Sequence, residues 1–190
     1  VVLFAGIGAQ MLGLASVEHL NQWLPSIING DVNVAACFTE PEHGSDLAGL
    51  ECRARREGDY FVIDGEKTSI TFGNVAKIAF VWVRTGTVES GAKGVSALIM
   101  PVDIEGLHIT TFDDMGLTIL GRGSFIFDNV RVPVQNLLGE ENKGFYASMG
   151  LFDWFRPCLS LLEMGNARQA VEDAIEYAKT RVAFGRPIAK

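Results

Sequence analysis

The feature that most constrains this chain is a change of hydrophobic period that happens twice along its length. Residues 34–133 break into short runs rich in Val, Ile, Phe and Thr, separated by Gly, Asp and Asn, whereas the flanking segments carry apolar residues at helical spacing. The pattern predicts strands at 34–39, 51–56, 60–71, 77–84, 94–101, 107–112 and 124–132. Glu57-Gly58-Asp59 reads as a hairpin turn between the second and third of these, and residues 86–94 as a longer polar loop. Pro133 ends the last strand, because proline has no N–H to give a ladder. Seven strands in this span predict an antiparallel β-barrel or sandwich, and with helices on both sides the fold class is α+β.

Residues 1–30 read as helical and close at Gly30-Asp31, with Trp23-Leu24-Pro25 opening a short second helix and Pro25 in its first turn. Residues 140–190 turn helical again. Ala167, Ala170, Val171, Ala174, Ile175, Ala178 and Val182 recur at three- and four-residue steps, an alanine-rich stripe that lets another helix approach closely. Pro157 marks the expected start of that helix. An α–β–α order without caps at Val1 or Lys190 implies a β unit inserted between helical units that continue outside the sequence.

Composition narrows the function. Hydrophobic residues make up 48% and charged residues 21%, which suits a folded chain and excludes disorder. The net charge of −7 gives no global field for nucleic acid or an anionic membrane surface. The apolar opening VVLFAGIGAQMLGLASV lacks a basic lead and contains Gln10, so it reads as a packed helix rather than a signal peptide or bilayer span. Cys37, Cys52 and Cys158 are odd in number and lack CxxC spacing, which points to buried thiols in a reducing compartment rather than disulfides or zinc.

Two segments carry chemistry. In Phe38-Thr39-Glu40-Pro41-Glu42-His43-Gly44-Ser45-Asp46 a strand delivers Thr39, Glu40-Pro41 turns the chain, Gly44 permits close backbone approach, and Ser45 and Asp46 bring a hydroxyl and amides to the turn. Such a loop can hold a polar planar ring or a phosphate, and it can equally be a plain turn closed by an Asx-type bond. In Asp64-Gly65-Glu66-Lys67-Thr68-Ser69-Ile70-Thr71-Phe72-Gly73 the Asp64-Gly65 pair reads as a hairpin dipeptide, and Thr71 ends a strand with an outward hydroxyl.

Taken together, Thr-Glu-Pro-x-x-Gly-Ser-Asp and Asp-Gly-x-Lys-x-x-Ile-Thr resemble the acyl-CoA dehydrogenase family. The resemblance continues in order through Phe127-Asp128-Asn129-Val130-Arg131-Val132-Pro133, Asn136-Leu137-Leu138-Gly139 with Gly144-Phe145, Phe152-Asp153-x-x-Arg156, and Arg181-x-x-Phe184-Gly185. It implies a fragment: residues 1–33 end the N-terminal helical domain, 34–135 form the middle β-domain, and 136–190 begin the C-terminal helical domain. It implies FAD as cofactor, with Phe38, Thr39, Gly44, Ser45, Ser69, Ile70 and Thr71 along the flavin, and with Arg181 and Phe184 reaching FAD of a neighbouring subunit. It places Ser45, Phe152, Asp153 and Arg156 against the acyl-CoA substrate. The implied reaction is α,β-dehydrogenation of an acyl-CoA in fatty acid metabolism, with electrons passing to an electron-transfer flavoprotein. The implied assembly is a homo-oligomer, dimer or tetramer, in the cytoplasm or, less favoured, the mitochondrial matrix, without nucleic acid or membrane partners.

The chain departs from the family pattern at two points. Ser69 stands where the family usually carries a large aromatic over the flavin, with Phe72 nearby as a partial replacement. Phe155 occupies one of the two positions where the family places its glutamate base, so the base is expected beyond Lys190 and no catalytic residue is assigned in this chain. Glu163 is read as a structural ion pair or subunit contact, and His43 and His108 as loop and strand surface residues. The alternatives are a dehydrogenase of carrier-protein-bound acyl groups, a non-catalytic flavin or acyl-CoA binder, and a β-domain that binds no flavin.

Overall fold

A computed structural model describes residues 2–116 and 118–189, with only the backbone described for residues 2–5, so the expected uncapped ends at Val1 and Lys190 lie outside the described residues. The chain divides into two compact units, Val1–Leu151 and Phe152–Lys190.

The first unit opens with helices α1 (Val2–Leu12) and α2 (Val17–Asn29). Ser16 caps α2 by accepting from the His19 N–H at 3.3 Å, and Gly30 closes it in the left-handed region at φ 79°. Pro25 lies inside α2 rather than in a first turn, because the Ser16 cap starts the helix six residues before the Trp23 opening that the proline suggested.

Seven strands follow: β1 (Val34–Cys37), β2 (Arg53–Glu57), β3 (Tyr60–Thr71), β4 (Ile78–Arg84), β5 (Val95–Pro101), β6 (Leu107–Thr111) and β7 (Arg122–Pro133). They form one sheet in the order β1-β4-β2-β3-β7-β6, with β5 also on β4. The α+β class holds, and each predicted strand is present within about two residues. The sheet is not wholly antiparallel, since β1 runs parallel to β4 from Val34↔Ile78 to Cys37↔Val81, and β2 meets β4 in parallel at Arg53↔Arg84. Every residue of β4 is buried, the apolar run 78–83 and the charged Arg84 alike. The core gathers Phe61, Ile63, Val81, Leu98, Phe125 and Val130 from four of the strands.

Asp64-Gly65 does not form a turn. It lies within β3, where the register against β7 shifts between Ile63 and Gly65, and Asn129 on β7 adopts φ 53°. Gly65 sits at φ 138°, and a Cβ there would come within 2.9 Å of the Cys52 Cα. The glycine serves close strand packing.

The second unit contains most of helix α3 (Gly144–Thr180) and the short hairpin β8 (Val182–Ala183) and β9 (Arg186–Pro187). Pro157 lies inside α3, not at its start. It deprives the Asp153 carbonyl of a helical donor, and the helix runs on past it to Thr180. The stripe of Ala167, Ala170, Val171, Ala174 and Ile175 is exposed, and Val182 leaves it for β8. No described helix is long and apolar enough to cross a membrane.

Candidate functional site

The two chemical segments are joined at a buried ion pair. Glu40 and Lys67 are 5% and 0% exposed, and the Lys67 ammonium donates to Glu40 Oε1 at 2.8 Å and to the Phe38 carbonyl at 3.0 Å. The Glu40 carboxylate also accepts from the backbone N–H groups of Glu51 at 2.6 Å and Cys52 at 2.9 Å. Thr68 N–H donates to the Thr39 carbonyl at 2.8 Å, which lays the Thr39 loop alongside β3. Reciprocal backbone bonds between Glu40 and His43, at 2.9 and 3.2 Å, close the turn around Pro41. The Phe38 ring stacks on Trp82 with centroids 3.6 Å apart. Sequence patterning missed the Glu40–Lys67 pair, because an exposed turn residue and an alternating strand residue are both ordinarily solvated.

Beyond Lys67 the strand changes geometry. The ladder passes from Lys67↔Phe125 to Ile70↔Gly123, so β3 carries one extra residue, a bulge. Ser69 in that bulge takes φ 58°, and Phe72 just past the strand takes φ 61°. Two non-glycine residues in the left-handed region bracket Ile70 and Thr71, a local strain that clusters at functional sites. Phe72 is buried in the β core.

Thr71 pairs with Arg122 across the ladder and lines a groove with Asp114, Met115, Gly116, Leu120 and Arg122. Asp114 receives two bonds from Arg122, from Nε at 2.9 Å and Nη2 at 3.0 Å. The guanidinium carbon stands 5.6 Å from the Phe112 ring centroid.

A second buried cation, also missed by sequence reading, braces the loops nearby. Arg84 donates to the carbonyls of Leu50 at 2.9 Å, Gly91 at 2.7 Å and Ala48 at 2.6 Å, and burial draws its pKa below the ordinary arginine value. Burial also pushes the thiols up: Cys37 well above its usual range, and Cys52 to about 12, each partly offset by Lys67.

The remaining predicted site residues are dispersed over loop and helix. Gly44 and Ser45 sit in the exposed loop after the Pro41 turn, and a Cβ on Gly44 would meet nothing within 4 Å. In the second unit, the Arg156 guanidinium lies 4.9 Å over the Phe152 ring, while Asp153 is exposed. Arg181 follows α3 and accepts from Ile188 N–H through its carbonyl at 3.0 Å. Phe184-Gly185 form the two-residue loop between β8 and β9, with φ 53° and 79°, and the Phe184 ring is fully exposed. Glu163 is exposed and makes no ion pair among the described residues. His108 is exposed on β6, and His43 in its loop approaches Glu51 at 3.8 Å.

The residues present fit a flavin. The Thr39 and Thr71 hydroxyls are half-buried and have no hydrogen-bond partner among the described residues. Neutral hydroxyl and amide donors at strand ends are the donor set that the polar edge of such a ring accepts.

The middle-domain model of acyl-CoA dehydrogenases matches residues 35–130, and the C-terminal-domain model matches residues 142–190. The chain belongs to the acyl-CoA dehydrogenase family. Acyl-CoA dehydrogenase AFT10-1 of Alternaria alternata is 40% identical over 94% of this chain, which covers 41% of that protein. Caffeyl-CoA reductase-Etf complex subunit CarC of Acetobacterium woodii is 35% identical over 96% of this chain and 48% of its own length. A glutaryl-CoA dehydrogenase from Mycobacterium smegmatis, solved in complex with FADH2, superposes with a TM-score of 0.88 at 29% identity, covering 99% of this chain and 47% of that one. The chain therefore spans about half the length of the relatives it matches, within an oxidoreductase family that has flavoprotein members.

Proposed function

We propose that this chain is the flavin-holding part of an FAD-dependent acyl-CoA dehydrogenase, with residues 1–33, 34–135 and 136–190 assigned respectively to the end of an N-terminal helical domain, a middle β-domain and the start of a C-terminal helical domain. The observation that carries this reading is the pair of unpartnered hydroxyls, Thr39 and Thr71, on segments joined through the buried Glu40–Lys67 contact. In this reading Thr39 and Thr71 donate to the edge of the flavin, with backbone from Phe38, Ser69 and Ile70 beside them and Gly44 and Ser45 on the adjoining loop. When bound, the flavin supplies the acceptor for a hydride from the β-carbon of an acyl thioester, and donors fixed at its edge stabilise the charge the ring gains.

Ser45, Phe152, Asp153 and Arg156 are assigned to the CoA thioester, where a guanidinium held over an aromatic ring suits a phosphate or purine. Arg181 and Phe184 are assigned to a neighbouring subunit's FAD, in a dimer or tetramer. A ring on a preformed hairpin loop is ready for such a contact without further ordering. The relative described as part of an Etf complex supports an electron-transfer flavoprotein as the electron acceptor. No carboxylate of this chain is assigned as the base. Phe155 supports a second reading, a flavin or acyl-CoA binder without dehydrogenase activity, if the full-length protein has no glutamate elsewhere.

The test uses the full-length protein. Thr39→Ala and Thr71→Ala are each expected to weaken FAD binding about 2–10-fold, the equivalent of one hydrogen bond of about 0.5–1.5 kcal/mol. Anaerobic addition of saturated acyl-CoA thioesters should bleach the flavin absorbance. Unchanged FAD affinity in both variants refutes the assigned site. Tight FAD binding without bleaching by any thioester favours the non-catalytic reading.

A further inference from the structure

The Asp114–Arg122 pair is not accounted for by holding the fold or by the assigned donors. Both residues are partly exposed, with side chains 24% and 43% accessible, and both line the groove that Thr71 enters. Arg122 is fixed there by three constraints: its backbone is the ladder partner of Thr71, its Nε and Nη2 are held by Asp114, and its guanidinium lies against Phe112. Nη1 has no acceptor among the described residues. Asp114 is attached to a loop whose other side chains at the groove, Met115 and Leu120, are apolar, so little else there balances the two charges.

Resting on the assignment of Thr71 to the flavin edge, we infer that Asp114 and Arg122 form a tuning pair, in which Arg122 favours the anionic reduced form of the bound ring and Asp114 limits that effect. As a whole the pair is neutral, but its members act in opposite directions. Two electrons and one proton arrive with the hydride, and the added negative charge is stabilised by a nearby cation and opposed by a nearby anion. Partial exposure screens both, which keeps the effect modest. The inference separates Arg122 from a structural strut, because removing either end of a strut damages the same property in the same direction.

The experiment is spectroelectrochemistry on full-length holoenzyme, with FAD affinity measured in both redox states. Arg122→Gln is expected to weaken reduced FAD relative to oxidised FAD by about threefold to tenfold, lowering the two-electron potential by about 15–30 mV. Asp114→Asn is expected to move the potential up by a similar factor. Arg122→Lys retains the charge and should stay near the parent value, which guards against a variant that merely misfolds. Shifts of the same sign in Arg122→Gln and Asp114→Asn, or no shift in either, overturn the inference. Equal loosening of oxidised and reduced FAD by Arg122→Gln also overturns it, and would mean that the guanidinium holds a cofactor phosphate. Failure of Thr71→Ala to alter FAD affinity would instead remove the flavin from this groove, a result distinguishable from all of these.

Discussion

Removing the Lys67 ammonium should leave the Glu40 carboxylate buried with two amide donors and no direct ion-pair partner, Arg84 being the cation that still acts on it through space. Breaking such a pair from one side costs about 3–5 kcal/mol, because the remaining charge keeps its desolvation penalty without its partner. Lys67→Met is the cleanest perturbation, since methionine fills most of the lysine stem. Glu40→Gln should cost a comparable amount by stranding the ammonium, which would keep only the Phe38 carbonyl and a neutral amide. The double variant, Glu40→Gln with Lys67→Met, should cost clearly less than the sum, because neither charge remains. The assay is urea unfolding of full-length protein with and without FAD, analysed as a double-mutant cycle. Single losses below about 1 kcal/mol, or additivity in the double variant, would refute the reasoning that this pair ties the Thr39 loop to β3.

Gly144→Ala should destabilise by about 3 kcal/mol in urea unfolding, because its Cβ would fall 2.5 Å from both the Ser96 carbonyl carbon and the Ala97 nitrogen, neither of which can move freely within β5. The thiols give a pH dependence. Burial raises Cys52 from 9.0 to about 12 and Cys37 further, so their contribution is fully present below about pH 9 and is lost as pH rises, because the unfolded chain releases those protons first. Urea midpoints should fall more steeply between pH 9 and 10.5 in the parent than in Cys37→Ala/Cys52→Ala, and equal slopes would contradict the burial argument.

The strand pattern was legible because periods of two, β-branched runs and turn residues act locally. Glu57-Gly58-Asp59 indeed turns the chain, with Glu57 opposite Tyr60, and β3 spans the predicted 60–71. The dipeptide Asp64-Gly65 misled because a glycine at positive φ serves a hairpin or a bulge equally well, and only the long ladder to β7 decides between them. Both prolines were read as helix starts for a similar reason: the propensity is local, whereas helix length is set by capping and context, as at Ser16. Parallel pairing of β1 with β4 leaves no mark in either strand alone. At the candidate site, Thr39 and Thr71 were visible as motif positions, but the charged groups around them were not. Glu40–Lys67, Arg84 and Asp114–Arg122 each join residues distant in order along the chain or hidden in ordinary-looking polar runs.

One buried ammonium bonded to two oxygens of another segment makes those segments a single heritable unit. An engineer who transplants the Thr39 loop into another scaffold without its lysine imports a naked carboxylate, and one who moves only the lysine-bearing strand imports a stranded cation. Recombination points between residues 41 and 66 should therefore be tolerated only when both parents carry the same acid and the same base, so this pair limits which chimeras can exist.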